Sequence, residues 1–384
     1  MSKYAIINGR IYTEEGTIEK GYVIVNNDKI HAIESGDYNG DLKTLNAHGK
    51  NILPGFIDIH IHGGYGEDVM DGSYNGLKYL SEQLLSEGTT AFLATTMTQA
   101  DSNIEKSLKN VSEYKKTQQK DQSAEIIGIH LEGPFISEHK VGAQNPKYVQ
   151  RPSIDKINRF QKLSNDQIKI ITFAPEVENA LSTLDMLHED IIFSIGHTAA
   201  DFEQTNEAAK HGAQHITHLY NACTSFNHRS PGVFGAAWIN ENLKTELIVD
   251  GVHSHPTSVK IAYKLKGNKH FYLITDAMRA KGKPEGEYDL GGQNVIVKGK
   301  EARLETGSLA GSILKMNEGL RNLIHFTEDS LDNLWYVTSL NQAKALNIDE
   351  HKGSIKVGKD ADIIIVDDEI NVKTTIKLGV KHTY

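Results

Sequence analysis

The stretch GFIDIHIHGG, residues 55–64, places Asp58, His60 and His62 at every second position of an apolar run, directly before paired glycines. Alternate side chains of a strand share a face, so the two imidazoles project together, their backbones roughly 6 to 7 Å apart. Such a pair either converges on a cation or lines a wet strand. The same pattern recurs downstream. IIGIHLEGP carries His130 and Glu132 on one face, His197 closes IIFSIGH, His218 closes QHITH, and Asp276 closes FYLITD. Glu132 with His197 and His218 is a ligand set suited to zinc, iron, cobalt or manganese rather than to calcium or magnesium. Two histidines and a glutamate leave one coordination position open for water, whose pKa a metal lowers from 15.7 to about 7. Asp276 is then placed to take the water proton and return it to a leaving group, which is hydrolase chemistry. His60 and His62 offer a second or auxiliary position, so one or two ions per chain are expected. His130 and His215 read as structural, His215 being out of phase with His218.

These residues share a position in the elements that must carry them. Eight apolar runs alternate through the middle of the chain: GFIDIHI, TTAFLAT, EIIGIHLEG, IKIITFAPE, DIIFSIGH, AQHITHL, LKTELIVD and HFYLITD. Amphipathic stretches such as YNGLKYLSEQLLSEG and FEQTNEAAKHG lie between many of them. Eight strands with crossover helices make an α/β protein of the (β/α)8 TIM-barrel type, whose strand C-terminal ends surround one cavity. An open doubly wound sheet would call for a glycine-rich loop after its first strand; HGGYGED lacks G-x-G-x-x-G and carries acids where pyrophosphate would sit. The first fifty residues and the last thirty read as short strands, with Asn8-Gly9 as a hairpin turn signal. Neither end can bury a sheet alone. The division expected is therefore 1–53 and 356–384 as the two parts of a small β-sandwich domain, with 54–355 as the barrel.

Composition narrows the function classes. The chain has 384 residues, a formal charge of -9, 39% hydrophobic and 24% charged residues. That balance argues against nucleic acid as a partner, since phosphate contacts require a basic face. No segment approaches the roughly 20 apolar residues of a membrane span. A single cysteine, Cys223, allows no internal disulfide, so cytoplasmic residence is expected. The loop NACTSFNHRSPG adds Asn221, His228 and Arg229, DGVHSHP adds His253 and His255, and ETGSLAGSILKM supplies a small-residue turn before a helix. A guanidinium amid imidazoles and amides suits a phosphate or carboxylate.

The segments PGFIDIHIHG, HLEGPF, IGHT, THLYNA, HRSPG, DGVH, TDAM and SLAGS, in this order over residues 54–312, resemble the amino-sugar-phosphate deacetylases of the amidohydrolase superfamily. The resemblance implies hydrolysis of the acetamide of N-acetyl-D-glucosamine 6-phosphate to D-glucosamine 6-phosphate and acetate, by metal-bound hydroxide with Asp276 as general acid/base. It implies Glu132, His197 and His218 as the main metal ligands, with His60 and His62 matching a binuclear variant. It further implies sugar contacts from Asn221 and Ala222, phosphate binding by Arg229 across a homodimer, and substrate contacts from His253, Ala143 and Gln144. Backbone groups of Leu309, Ala310 and Gly311 would close the pocket. Two positions depart from the family pattern. Gln144 stands where many relatives carry histidine, and an amide cannot titrate, so its role is orientation or polarisation. Cys223 stands where methionine is usual and reads as a compact apolar substitute. The rival readings are an isomeric substrate such as N-acetylgalactosamine 6-phosphate, a cyclic-amide hydrolase or deaminase, and a non-catalytic barrel that merely binds. The last predicts gaps in the ligand set, and there are none.

Overall fold

The computed structural model describes residues 3–384. Eight parallel strands form one continuous ladder: β1 (Phe56–Ile61), β2 (Thr89–Thr96), β3 (Glu125–Glu132), β4 (Ile168–Phe173), β5 (Ile192–Ile195), β6 (His215–Ile216), β7 (Lys244–Ile248) and β8 (Phe271–Ile274). The ladder's ends meet: the Asp276 amide donates to the His60 carbonyl at 2.8 Å, and Ala277 bridges Ile61 in parallel. Closure explains why β2, TTAFLATT, is buried at every position instead of alternating: a barrel strand has helices on one side and the barrel interior on the other.

A helix follows each strand: α1 (Tyr74–Leu84), α2 (Asp101–Thr117), α3 (Ile154–Ser164), α4 (Ala180–Leu187), α5 (Phe202–Lys210), α6 (Gly232–Ile239), α7 (Pro256–Lys266) and α8 (Met316–Thr327). Local chemistry sets their starts. Ser73 and Ser153 accept from the third helical amides of α1 and α3, and Asp201 and Gln204 cap α5 reciprocally. In α1, Leu77, Leu80 and Leu84 recur on one face; in α2, Ile104, Leu108 and Val111 do so. They pack on the outward residues of the strands, among them Ile129 and Leu131, while the alternating His130 and Glu132 point inward. Each such leucine contributes about 1.5–3 kcal/mol of burial, so the helix shell pins the strand register and hence which face the ligands occupy.

The chain ends form a mixed sheet of eight strands with its own apolar cluster, including Ile6, Val23, Val25, Ile52, Ile363 and Ile365. Antiparallel pairing of Ile363–Val366 with Asn51–Pro54 zips the C-terminal part to the N-terminal part. Asn8-Gly9 is not a hairpin turn. The first strand runs unbroken from Lys3 to Thr13, and its register with Gly16–Asn26 shifts on either side of Gly9. Asn8 takes φ +56° and a bulge results. Glycine is needed beside it because a Cβ at position 9 would lie 2.2 Å from the Ile52 side chain. The sequence reading also passed over a three-stranded antiparallel sheet, Gly286–Leu290, Gln293–Lys298 and Glu301–Leu304, inserted after β8. Its exposed-buried alternation in QNVIVK and its Gly291-Gly292 turn are visible signals. Among the described residues no helix is long and apolar enough to cross a membrane.

Candidate metal centre and substrate cavity

The strand ends converge on one carboxylate. Glu132 Oε1 lies 3.1 Å from Nε2 of His197, 3.1 Å from Nε2 of His218 and 3.4 Å from Nε2 of His60. Glu132 Oε2 lies 3.0 Å from Nε2 of His62. Asp276 Oδ1 stands 3.4 Å and 3.2 Å from the same atoms of His60 and His62. Two buried triads result, His60–His62–Glu132 and Glu132–His197–His218, each with ligand atoms within 4.8 Å of one another. The backbone bends sharply to achieve this: His197, His218 and Asp276 take φ of +47°, +29° and +48° just past their strands. Left-handed backbone at non-glycine residues is strained and concentrates at functional sites. After His62, Gly63 and Gly64 make a tight return; a Cβ at Gly63 would meet the Glu67 carbonyl at 2.2 Å.

The donor atoms fit a divalent transition metal. Nε2 of His60 is buried without a hydrogen-bond partner. Nε2 of His197 and His218 face each other at 3.1 Å. Three of the other ring nitrogens are tied outward: Nδ1 of His60 to Glu246 (3.3 Å), of His62 to the Thr95 carbonyl (3.3 Å) and of His197 to the Lys140 carbonyl (3.1 Å), while Nδ1 of His218 is buried without a partner. Such outer partners fix the tautomer that leaves Nε2 lone pairs pointing at the centre. The electrostatics are those of a cation site. Burial alone would raise the Glu132 pKa, but His60 and the bonds from His197 and His218 hold it well below the carboxylate range. Burial likewise opposes charge on His62, yet Asp276 and Glu132 draw its pKa up to about 10.

The remaining sequence candidates divide. Above the centre lies a cavity of about 310 Å³ whose lining includes Ala143, His197, His218, Asn221, Ala222, His253, Asp276, Leu309 and Gly311. The His253 ring is held by Asp250 at 2.7 Å. Ala310 is fully buried and packs with Met278 behind the lining. Arg229 is exposed, donating to its neighbour His228, and lies outside this chain's cavity. His130 is satisfied by the Ile59 carbonyl and Thr172, and His215 by Glu246, in line with structural roles. Burial pushes the Cys223 thiol up to about 12, as befits a packing residue. Sequence reasoning missed Glu246, which spans His60 and His215, and Arg303 on the cavity rim. An acid inside the apolar run LKTELIVD was the available signal for Glu246; Arg303 gave none.

Gln144 is buried; its amide donates to Glu132 Oε2 and accepts from the Thr98 amide, both at 2.7 Å. Gln144→Ala leaves a buried N–H and a carboxylate oxygen without these partners. The expected loss is about 1–3 kcal/mol of stability, read as a lower urea midpoint at unchanged slope. An unchanged midpoint would remove Gln144 as the support of Glu132.

A model of the amidohydrolase family matches residues 51–381. The chain is 46% identical to the N-acetylglucosamine-6-phosphate deacetylase of Bacillus subtilis (strain 168), over 96% of this chain and 94% of that one. Its fold superposes on the crystal structure of the Pasteurella multocida N-acetylglucosamine-6-phosphate deacetylase with a TM-score of 0.94 at 30% identity, covering all of both chains. A mutant of the Mycobacterium smegmatis deacetylase, solved in complex with N-acetyl-D-glucosamine-6-phosphate, gives a TM-score of 0.93 at 26% identity over 99% of each chain. By sequence and by architecture, this chain belongs to the amidohydrolase family, among its N-acetylglucosamine-6-phosphate deacetylases.

Proposed function

We propose that the chain hydrolyses the acetamide of N-acetyl-D-glucosamine 6-phosphate to D-glucosamine 6-phosphate and acetate. The observation that carries this reading is Asp276 on the floor of the cavity, its Oδ1 within 3.4 Å of imidazoles that share Glu132. Glu132, His197 and His218 would hold one divalent transition metal (zinc, iron, cobalt or manganese), and His60 and His62 with Glu132 a second. Bound there, the metal supplies Lewis acidity and lowers the pKa of water.

The rest is done by the chain. Burial disfavours charge on Asp276, but positive charge at the centre, carried by His60 and His62 when no ion is bound, outweighs it and keeps the carboxylate ionised, ready to accept the proton of the attacking water. As the carbonyl carbon becomes tetrahedral, Asp276 passes that proton to the amide nitrogen, a poor leaving group until protonated. Gln144 restrains Glu132 by hydrogen bonding and transfers no proton. Asn221, the Ala222 amide and His253 orient the sugar, and the backbone of Leu309 and Gly311 covers it, so the acyl group stays near its nucleophile. Arg229 serves a second copy's cavity in a homodimer. Its loop carries Phe226, and Phe226 and Ile239 at the end of α6 expose 48% and 69% of their surface, which suits burial between subunits. A cytoplasmic address fits the buried, reduced Cys223.

The test is acetate release by metal-loaded protein from N-acetylglucosamine 6-phosphate and, in parallel, from the galactosamine isomer. Turnover of the gluco substrate at a higher kcat/KM is the expected result. No acetate from either would sink the reading, and preference for the galacto isomer would reassign the substrate.

A further inference from the structure

The inserted three-stranded sheet brings an arginine to the cavity that the sequence motifs do not contain. We infer that Arg303, on the last strand of that sheet, is an in-chain specificity residue that receives the phosphate of the sugar phosphate, with Glu301 as the carboxylate it releases to do so. The inference rests on the proposed function and adds to it a second phosphate contact, supplied within one chain.

Geometry places Arg303 there. Among the described residues it is the one lysine or arginine lining the cavity floored by Asp276, His197 and His218. Its strand pairs with Gln293–Lys298, and its backbone bridges Leu309 on the returning chain, so the arginine and Leu309 move as one unit. The guanidinium is held in place: Nη1 donates to the Gly307 carbonyl at 2.7 Å and Nε to Glu301 Oε2 at 2.7 Å. A guanidinium carries five N–H donors, so others remain for an incoming oxyanion.

Charge supplies the reason for exchange. The two side chains are 42% and 47% exposed, and an exposed ion pair between residues two apart on one strand is weak. A phosphate dianion offers the planar guanidinium a doubly charged, bidentate partner in its place. Arg229 does not line this chain's cavity, so without Arg303 the phosphate would meet no arginine from its own subunit.

The experiment compares Arg303→Gln, Arg303→Lys and Glu301→Gln with wild type. The substrates are N-acetylglucosamine 6-phosphate and unphosphorylated N-acetylglucosamine; inorganic phosphate binding is measured separately by calorimetry. Losing a charge-assisted contact is worth about 10- to 100-fold. Arg303→Gln is expected to raise KM for the phosphorylated substrate by that factor with little change in kcat, and to weaken inorganic phosphate similarly. The ratio of kcat/KM for phosphorylated over unphosphorylated sugar should collapse, Arg303→Lys should recover part of it, and Glu301→Gln should lower KM by about 2- to 5-fold. Equal losses on both substrates, or unchanged phosphate affinity in Arg303→Gln, would overturn the inference by reducing Arg303 to a strut of the sheet. Wild type that releases no acetate would instead defeat the functional reading, and the calorimetry would still decide whether Arg303 binds phosphate.

Discussion

Asp276→Asn is expected to lower kcat by about 10²- to 10⁴-fold while metal content stays at the wild-type level. The substitution keeps the side chain's shape and its reach toward Nε2 of His60 and His62, 3.4 and 3.2 Å away. What it removes is the capacity to accept a proton. The sugar contacts proposed above fall to other residues of the cavity lining, Asn221, Ala222 and His253, so KM should change little. That split distinguishes a group acting in the transition state from one that binds substrate. Metal analysis of the purified variant together with steady-state rates checks both halves. A kcat within tenfold of wild type would take the acid/base role away from Asp276, and parallel loss of metal would make it a ligand instead.

Glu132→Gln should have the larger structural consequence. Four imidazoles and the Gln144 amide all reach the one carboxylate. An amide in its place carries no charge, so it lacks the anionic oxygens that both triads share and that would balance a bound cation. Outer-shell changes at metal sites already cost about 10- to 100-fold in affinity, so loss of a ligand shared by both triads should cost at least that. Activity should fall to background. A readout independent of turnover comes from linkage: metal at 100 times its dissociation constant stabilises the folded state by about 2.7 kcal/mol. Wild-type Tm should therefore rise when zinc or manganese is added to metal-free protein, and the Glu132→Gln Tm should not. Equal rises in the two proteins would show that Glu132 holds no metal.

Legibility in the sequence followed the range of the interaction involved. His60, His62, Glu132, His197, His218 and Asp276 could be found because each ends an apolar run, and strand periodicity is a local property. The barrel was legible for the same reason, as eight runs separated by helical stretches. Asn8-Gly9 misled because the local turn propensity is real. Which of a turn or a bulge it makes depends on Ile52, which occupies the space a side chain at Gly9 would need.

The sequence alone thus determined the architecture and the residues able to hold a metal, and it singled out the aspartate proposed to move a proton, all from spacing along one strand at a time. The tertiary structure decided what those residues lean on. Gln144 bonds Glu132 across 12 residues, Glu246 meets His60 across 186, and Arg303 reaches the rim through a sheet inserted after the last barrel strand. Such pairings arise only when barrel closure and loop folding bring distant segments within hydrogen-bond range, and no periodicity in the chain encodes a distance across a barrel.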